Sequence, residues 1–415
     1  METLKPKLLS CMKGYSRETF VKDVIAGIIV AIIALPLSIA LALASGVGPK
    51  EGLYTAIFAG FVISLLGGSR VQIAGPTAAF ATIVAGIVAE HGMEGLALAT
   101  VMAGVLLVIM GLCRFGSLIR FIPHTITVGF TAGIAVTILI GQIKDFLGLT
   151  FASSPVETME KLEAVFESIG SFNPLALFIG LVAMAILIFL PRIRSLSKIP
   201  PSLVAVIFCS LFVGVTSLGV NTIGDLYTVS ASFPRPSLPG FSLESIRLML
   251  PDAVTIAILA AVESLLSCVV ADSMTGDKHN SNMELIAQGA GNLCSALFGG
   301  IPATGAIART SANIKNGGRT PVAGMIHALV LLLVLVVLMP LASRIPMPVI
   351  AAILFVVAYN MSEWREFTAI CRKKKVTDIL VLVLTFALTV IFDLVVAIAV
   401  GLLLHGLFML IRKKK

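Results

Sequence analysis

Two ionisable residues lie inside stretches of sequence that are otherwise apolar. Glu263 lies in the middle of AILAAVESLLSCVV, and Arg309 follows Ala-Thr-Gly-Ala-Ile-Ala. A charge in such a setting is costly and is therefore a candidate for function. Removal from water disfavours the charged form of a carboxylate, so we predict that Glu263 takes up and releases a proton. The alternative is a permanent ion pair between Glu263 and Arg309, which protonation would break.

Two short motifs could hold an anion beside these residues. Gly75-Pro76-Thr77 and Gly305-Ala306 are each predicted to begin a half-helix, and Pro76 suits a first helical turn. A helix start offers unpartnered N–H groups and about half a positive charge. Two such ends that meet at the middle of a membrane form an anion site built from backbone. The other residues assigned to this site are Ala78, Arg309, Thr304 and Ser267, the last two as lining of the cavity.

The composition sets the class of protein that carries these motifs. Hydrophobic residues make up 58% of the 415 residues and charged residues 13%, about half of the ~25% typical of a soluble domain. This excludes an ordinary soluble enzyme, a disordered chain and a disulfide scaffold, and it predicts an all-α polytopic membrane protein. The chain has no Walker-type phosphate loop and no catalytic or metal-binding spacing, so we expect neither an ATP-driven pump nor an enzyme.

Fourteen apolar stretches are predicted to be membrane spans or half-spans. They lie near residues 23–45, 49–67, 71–89, 93–113, 123–143, 174–191, 199–219, 251–270, 283–299, 301–316, 321–343, 345–361, 378–391 and 393–411. With a cytoplasmic N-terminus, 23 of the 30 Lys and Arg residues fall on the inner side and six on the outer side. This asymmetry predicts cytoplasmic N- and C-termini in the inner membrane. The outer segments 153–170 and 220–250 are predicted to be an amphipathic surface helix, capped by Ser154, and a loop.

The predicted spans divide into two repeats of seven. GLYTAIFAGFVISLLGGSR with VQIAGPTAAFA in the first half corresponds to ELIAQGAGNLCSALFGG with IPATGAIARTSAN in the second. An odd number of spans in each repeat requires the repeats to be inverted, and inverted repeats with interrupted helices are typical of secondary transporters. Membrane orientation explains the net charge of +8, so no nucleic-acid partner is expected.

Several of these stretches resemble a known family. PKEGLYTAIFAGFVISLLGGSR (49–70), QIAGPTAAFA (72–81) and the block 263–314 are similar to signature segments of the sulfate permease (SulP) anion transporters. Within that family, the GPTAAF, MTGDKH and YNMSE stretches look closest to the bacterial C4-dicarboxylate uptake members. Family members usually carry a soluble STAS domain after the last span. This sequence carries no STAS domain and stops at Lys415, as a natural short form or a truncated one.

The resemblance implies how the spans divide and move. A core domain of spans 1–4 and 8–11 would move as an elevator against a gate domain of spans 5–7 and 12–14, in a homodimer. In sequence order, this gives an N-terminal segment (1–22), spans 1–5 (23–143), an outer loop with spans 6–7 (144–250), spans 8–11 (251–343), spans 12–14 (344–411) and a basic end (412–415).

The resemblance also assigns roles in the site. It implies anion contact at Thr77 and around Ala306, with Ile307 as a neighbouring site residue. Sodium-coupled bicarbonate members carry Asp at the position of Glu263 and Thr at the positions of Ile307 and Ser267. The glutamate at position 263 therefore resembles the proton-coupled branch of the family, and the resemblance implies that the site is unsuited to sodium.

We therefore expect a proton-coupled symporter of a C4-dicarboxylate or sulfate. Its partners would be a small anion, membrane lipid and a second copy of the chain, with the proton as coupling ion and no cofactor. Two alternatives remain open, an uncoupled anion channel or exchanger and a bicarbonate transporter. A nucleobase carrier would bind neutral rings with carboxylates, which Arg309 disfavours, and an enzyme would need a paired histidine and carboxylate. His327 and His405 are lone histidines in apolar segments and are expected to be packed and hydrogen-bonded.

Overall fold

The computed structural model describes residues 4–117, 123–153, 155, 157–193, 199–228, 233–373 and 375–391, with five more between 397 and 404. These residues are nearly all helical. By length and composition, seven of their helices can cross a membrane, as expected of a polytopic membrane protein. Apart from those five residues, the predicted span 393–411 lies outside the described residues, and so do His405, Ser154 and the basic end 412–415.

The helices and strands follow one another in three stretches. The first contains α1 (Lys7–Cys11), α2 (Arg17–Ala44), α3 (Pro49–Tyr54), a π-helical segment (Thr55–Ala59), α4 (Gly60–Leu66), β1 (Ala74–Gly75), a 3-10 turn (Ala78–Phe80), α5 (Ala81–Leu112) and α6 (His124–Leu147). The second contains α7 (Thr158–Glu167), α8 (Pro174–Phe189), α9 (Pro201–Thr216) and α10 (Ile223–Leu226). The third contains α11 (Leu243–Thr275), α12 (Ser281–Leu297), β2 (Thr304–Gly305), α13 (Ile307–Lys315), α14 (Val322–Ala342), α15 (Met347–Met361), α16 (Trp364–Arg372) and α17 (Val376–Ile391).

The structure agrees with some of the predicted elements and differs from others. The stretches 71–89 and 93–113 correspond to the two parts of α5, which are separated at Gly92, where a φ of 65° and a ψ of −170° leave the helical region and favour glycine. The predicted loop 220–250 contains α10 and the first turns of α11, which begins at Leu243 because the Ser242 hydroxyl caps it. The N-cap of α7 is Glu157 and not the predicted Ser154, and Glu157 forms a capping box with Glu160. α16 lies where no element was predicted.

The long helices pack in two groups. In the first helix group, α5 packs against α11 and α12, α2 packs against α13 and α14, and α4 lies between α12 and α14. In the second helix group, α6 packs against α15 and α17, and α8 packs against α9 and α15. Between the groups, α2 contacts α6, α9 and α15. The interrupted segments with β1 and β2 belong to the first helix group.

Within the first helix group, α5 and α12 approach until their backbones nearly touch. A Cβ atom added to Gly289 would lie 2.5 Å from the Gly104 carbonyl oxygen, and one added to Gly104 would lie 2.9 Å from the Gly289 carbonyl oxygen. Real Cβ atoms do not approach so closely, so both positions require glycine. Small residues that allow such approach are typical of helix contacts in membranes.

We therefore expect Gly289→Ala to lower stability, although alanine normally favours a helix over glycine. Overpacking of this kind costs about 1–3 kcal/mol. Gly141→Ala in α6 is the matched control, because a Cβ there meets no atom within 4 Å. The control is expected to be neutral or more stable by up to about 1 kcal/mol. Thermal unfolding of the detergent-solubilised variants measures the difference, and equal shifts for both would contradict the close packing.

Candidate functional site

Two extended segments pair in the interior of the first helix group. β1 and β2 run antiparallel, with Ala74 opposite Gly305 and Gly75 opposite Thr304, and all four residues are buried. Ala306 continues the pairing, because its N–H donates to the Ile73 carbonyl oxygen at 2.9 Å. We call the segments 71–77 and 301–306 the first and second arms. Their pairing brings together two parts of the chain that the sequence separates widely.

The glycines of the two arms are required by close approach. A Cβ atom at Gly75 would lie 2.1 Å from Nη1 of Arg309, and one at Gly305 would lie 2.1 Å from Nε2 of Gln72. Each glycine therefore allows a polar side chain to pass directly over the backbone of an arm.

Each arm ends at the start of a helix whose N–H groups have no side-chain cap. Thr77 precedes the turn that leads into α5, and Ala306 precedes α13, and neither side chain accepts a hydrogen bond from its own helix. The first helical residue after the first arm is Ala78, so Pro76 lies before the helix and not in its first turn as predicted. The predicted start at Gly305-Ala306 is close to the observed one, because Ile307 begins α13.

Glu263 lies where the two arms meet. Its Oε2 accepts a hydrogen bond from the Thr77 hydroxyl at 2.9 Å and from the Thr304 hydroxyl at 3.1 Å, and the Thr304 hydroxyl shares its single proton with the Gly305 carbonyl oxygen at 2.9 Å. None of the described residues donates a hydrogen bond to Oε1. The neighbouring Ser264 hydroxyl accepts from the Gly305 N–H at 3.0 Å. α11 therefore holds both arms through two consecutive side chains.

Glu263 and Arg309 do not form the ion pair that the sequence left open. Among the described residues, no carboxylate lies within ion-pair distance of Arg309, which is 1% exposed. Nη2 of Arg309 donates to the Ser38 hydroxyl at 3.2 Å and to the Pro76 carbonyl oxygen at 3.3 Å, while Nε and Nη1 have no described acceptor. The guanidinium thus supports the first arm through the Pro76 carbonyl oxygen, on the protein-facing side of that arm, and is not exposed to solvent in this structure.

Fewer of the predicted site residues are exposed to solvent than the sequence suggested. Thr77 and Glu263 are partly exposed, and Ile307 is 43% exposed at the start of α13. Thr304 and Ser267, which were expected to line the cavity, are fully buried. The Ser267 hydroxyl lies 3.4 Å from that of Thr310, and it supports the second helix start from within the protein.

Residues 71–76 and 301–306 of the arms are buried and are not helical, so side chains must satisfy many of their backbone groups. In the first arm, the Thr310 hydroxyl accepts from the Ile73 N–H at 3.0 Å. In the second arm, the Asn292 amide accepts from the Ala303 N–H at 2.8 Å and donates to the Ala303 carbonyl oxygen at 2.9 Å. The arms are therefore built as much by side chains as by their own pairing.

A polar stripe along α12 provides much of this support, and the sequence analysis missed it. Glu284, Gln288, Asn292 and Ser295 are fully buried and recur at the spacing of one helix face. Glu284 accepts from the N–H groups of residues 68 and 69 at 2.8 and 3.2 Å, and from the Gln72 and Gln288 amides at 2.8 Å each. A polar residue at every third or fourth position of an apolar span is the signal that would have revealed it.

Asp23 is a second buried carboxylate that the sequence analysis did not single out. It is fully buried and accepts from the Arg319 and Thr320 N–H groups at 2.7 and 3.1 Å, and from the Tyr15 hydroxyl at 3.0 Å. Burial and this hydrogen bond to Asp23 raise the pKa of Tyr15 to about 12. Asp23 therefore fastens the start of α2 to the segment before α14.

The lone histidine of α14 is packed as expected but not hydrogen-bonded as expected. His327 is fully buried, and neither ring nitrogen has a partner among the described residues. A different histidine pairs with a carboxylate, because Nδ1 of His279 lies 2.7 Å from Asp272 and Nε2 lies 2.9 Å from the Ser281 hydroxyl. The backbone N–H of His279 also donates to the Asp272 carboxylate at 3.1 Å, so His279 and Asp272 close the turn between α11 and α12.

Comparison with known proteins identifies what the chain is similar to. The model of the sulfate permease family matches residues 20–385. YvdB of Bacillus subtilis (strain 168), whose name proposes a sulfate transporter, is 44% identical over 402 residues, which cover 96% of this chain and 75% of YvdB. The bicarbonate transporter BicA of Picosynechococcus is 35% identical over 390 residues, which cover 91% of this chain and 68% of BicA. The solved transmembrane domain of a cyanobacterium BicA superimposes with a TM-score of 0.84 and 32% identity, over 92% of this chain and 98% of that domain.

Arg309 is buried and has no carboxylate partner among the described residues, and this leads to a prediction about stability. A buried charge without a carboxylate partner is costly, so we expect Arg309→Met to raise the free energy of unfolding by about 1–4 kcal/mol. Arg309→Lys keeps the buried charge and serves as the control, with no such gain expected. Thermal unfolding in detergent measures both variants. A clear loss of stability in Arg309→Met would instead assign Arg309 to the packing of the first arm.

Proposed function

This chain belongs to the sulfate permease family, and we propose that it is a proton-coupled anion symporter that works by an elevator mechanism. The relatives are named as transporters of sulfate and of bicarbonate. The chain is accordingly a membrane transporter of small anions and not an enzyme. The observation that carries the finer proposal is the meeting of two uncapped helix starts at Glu263.

The substrate anion would bind between the two helix starts. Each offers N–H groups without side-chain caps and about half a positive charge. Thr77 and Ala78 lie at the first helix start, and Ile307 lies at the second. Thr77 is partly exposed and Ile307 is exposed, whereas Ala78 is buried. Buried Arg309 would strengthen the positive potential from behind the first arm without touching the anion.

A proton on Glu263 would make anion binding favourable. An ionised carboxylate and an anion about 5 Å apart repel each other by about 3 kcal/mol at an effective dielectric constant of ~20. Protonation of Glu263 removes this repulsion and so strengthens anion binding. Because the coupling is reciprocal, a bound anion strengthens the binding of the proton to Glu263 by the same free energy. Because Oε2 already accepts both threonine hydroxyls, a proton on Oε1 would break no described hydrogen bond.

The elevator part of the proposal rests on the two helix groups. The first helix group would carry the site as the core, and the second would serve as the gate. A cleft of about 880 Å³ separates the groups at the end of α13, lined on one side by Lys22, Lys315 and Arg319 and on the other by residues of α9 and α15. α13 therefore runs from the proposed site at Ile307 to a cationic cleft at Lys315. Such a cleft attracts anions.

The orientation and assembly follow from the same proposal. Under the predicted positive-inside topology, both termini lie in the cytoplasm of an inner-membrane protein, and the cationic cleft opens to that side. We propose a homodimer and a C4-dicarboxylate or sulfate as substrate. Sulfate has the direct support of the family description, whereas bicarbonate is the alternative that the similarity to BicA supports.

Glu263→Gln tests the coupling. We expect an imposed proton gradient to accelerate uptake by the parent chain and not by the variant, because glutamine cannot take up a proton. One unit of pH gradient is worth about tenfold accumulation for each coupled proton. Glu94→Gln, which replaces an exposed carboxylate of α5, is the control. The measurement is uptake of labelled sulfate, fumarate and bicarbonate into proteoliposomes, with and without the gradient.

The outcomes separate the alternatives. Uptake by the parent chain that ignores the gradient would favour an uncoupled channel or exchanger. Gradient-driven uptake that persists in Glu263→Gln would place the coupling group elsewhere. Gradient-driven uptake of bicarbonate alone would replace the substrate proposal and keep the coupling.

Ile307→Asp tests the anion site itself. A carboxylate at the first position of α13 would occupy the helix start as a built-in ligand, so we expect uptake of every anion to fall at least about tenfold. Ile307→Asn has nearly the same shape without the charge and is expected to transport much better. Initial rates of uptake decide the matter. Equal rates in the two variants would show that the α13 start does not bind the substrate.

A further inference from the structure

A groove on the side of the helix bundle is separate from the proposed transport site. It has a volume of about 990 Å³, at the upper end of the ~300–1,000 Å³ range of ligand pockets. α9 forms one wall, from Leu203 to Val215, and α2 and α14 form the other. The groove therefore lies along the seam between the second helix group and the first.

The dimensions of the groove match one leaflet of a bilayer. The thirteen residues from Leu203 to Val215 span twelve helical steps and rise about 18 Å, and the hydrocarbon core of a bilayer is about 30 Å thick. The lining is apolar along this length except at Ser210, and several of its side chains are exposed. Leu211, Val215 and Leu338 are 64%, 83% and 44% exposed. In a membrane-spanning chain, such a groove is open to acyl chains.

One end of the groove carries two opposite charges. The Ile223 and Gly224 N–H groups donate to the carbonyl oxygens of Ile345 and Ser343 at 2.9 and 2.8 Å, which fixes α10 beside the end of α14. Asp225 and Arg344 both line the groove at this end. Among the described residues, none forms an ion pair with Arg344.

Asp225 is held in its ionised form. The backbone and side-chain hydrogen bonds from Thr222 to its Oδ2, at 2.7 and 2.8 Å, hold the pKa of Asp225 below its usual range. The polar end therefore offers a cation and an anion at neutral pH. A ligand that satisfies both must carry a negative and a positive group close together, next to a long apolar part.

We propose that this groove binds one membrane phospholipid, with an acyl chain along α9, the phosphate at Arg344 and a primary ammonium at Asp225. Phosphatidylethanolamine carries these three features. An anionic phosphatidylglycerol would bring no cation to Asp225, and the quaternary ammonium of phosphatidylcholine has no N–H to donate. The proposal concerns binding alone, so it stands or falls independently of the proposed transport cycle.

The test is lipid retention by the full chain. The protein is reconstituted into nanodiscs with equal parts of phosphatidylethanolamine, phosphatidylglycerol and phosphatidylcholine, and the retained lipids are counted by native mass spectrometry after extraction. We expect one phosphatidylethanolamine per chain. Arg344→Gln should lower retention about tenfold, the loss of one charge-assisted hydrogen bond. Asp225→Asn should abolish the preference over phosphatidylcholine while the amide oxygen still caps α10.

A matched pair of glycine variants tests the location. Gly214 lines the groove, Gly141 lies in α6 outside it, and a Cβ at either position meets no atom within 4 Å. Gly214→Leu should displace the lipid, and Gly141→Leu should not. Retention that ignores both Gly214→Leu and Arg344→Gln would overturn the proposal. So would a change of oligomer mass in Gly214→Leu with the lipid count unaltered, because the groove would then face a second copy of the chain.

Discussion

The site depends on one carboxylate oxygen that accepts hydrogen bonds from both arms. Thr77 and Thr304 come from opposite halves of the chain, and both hydroxyls point to Oε2 of Glu263. Thr77 occupies the capping position of the helix that it precedes, but its hydroxyl donates to Glu263 and accepts no hydrogen bond from that helix, so the helix start keeps its N–H groups free of a side-chain cap. The same oxygen therefore fixes the position of both arms, and the uncapped helix start beside it is the feature on which the proposed anion site depends.

The chemical nature of the partners of Glu263 matters for the proposed coupling. A cation in ion-pair contact would hold the carboxylate in its charged form, and breaking such a pair at membrane depth would cost several kcal/mol. Hydroxyl groups stabilise a carboxylate more modestly, and they can also remain bonded when the other oxygen carries a proton. The absence of an ion pair between Arg309 and Glu263 therefore suits the proposed reversible proton site, because no cation in direct contact would fix the carboxylate in its charged form.

The sequence predicted the components of the site better than their orientation. The isolated charge singled out Glu263, the Gly75-Pro76-Thr77 and Gly305-Ala306 motifs predicted the two helix starts, and apolar length predicted most of the helices. The sequence could not show that the Arg309 side chain runs behind Gly75, because that depends on which arm lies over which helix. Ser267 was misplaced for a related reason, because a hydroxyl one turn from Glu263 faces the second helix start and not the open space.

The buried polar residues of α12 follow from the same constraint that creates the site. A helix can cross a membrane without help because it satisfies its own backbone, whereas an extended arm at that depth cannot. Each free N–H of the arms must then meet a side chain, and Asn292, Thr310 and Ser264 supply three of these partners. Glu284 extends the support to the turn before the first arm, where it accepts two backbone N–H groups at once. The polar stripe on α12 is therefore the structural consequence of interrupting two helices, because its residues supply hydrogen bonds that the arms and the turn before the first arm cannot make for themselves.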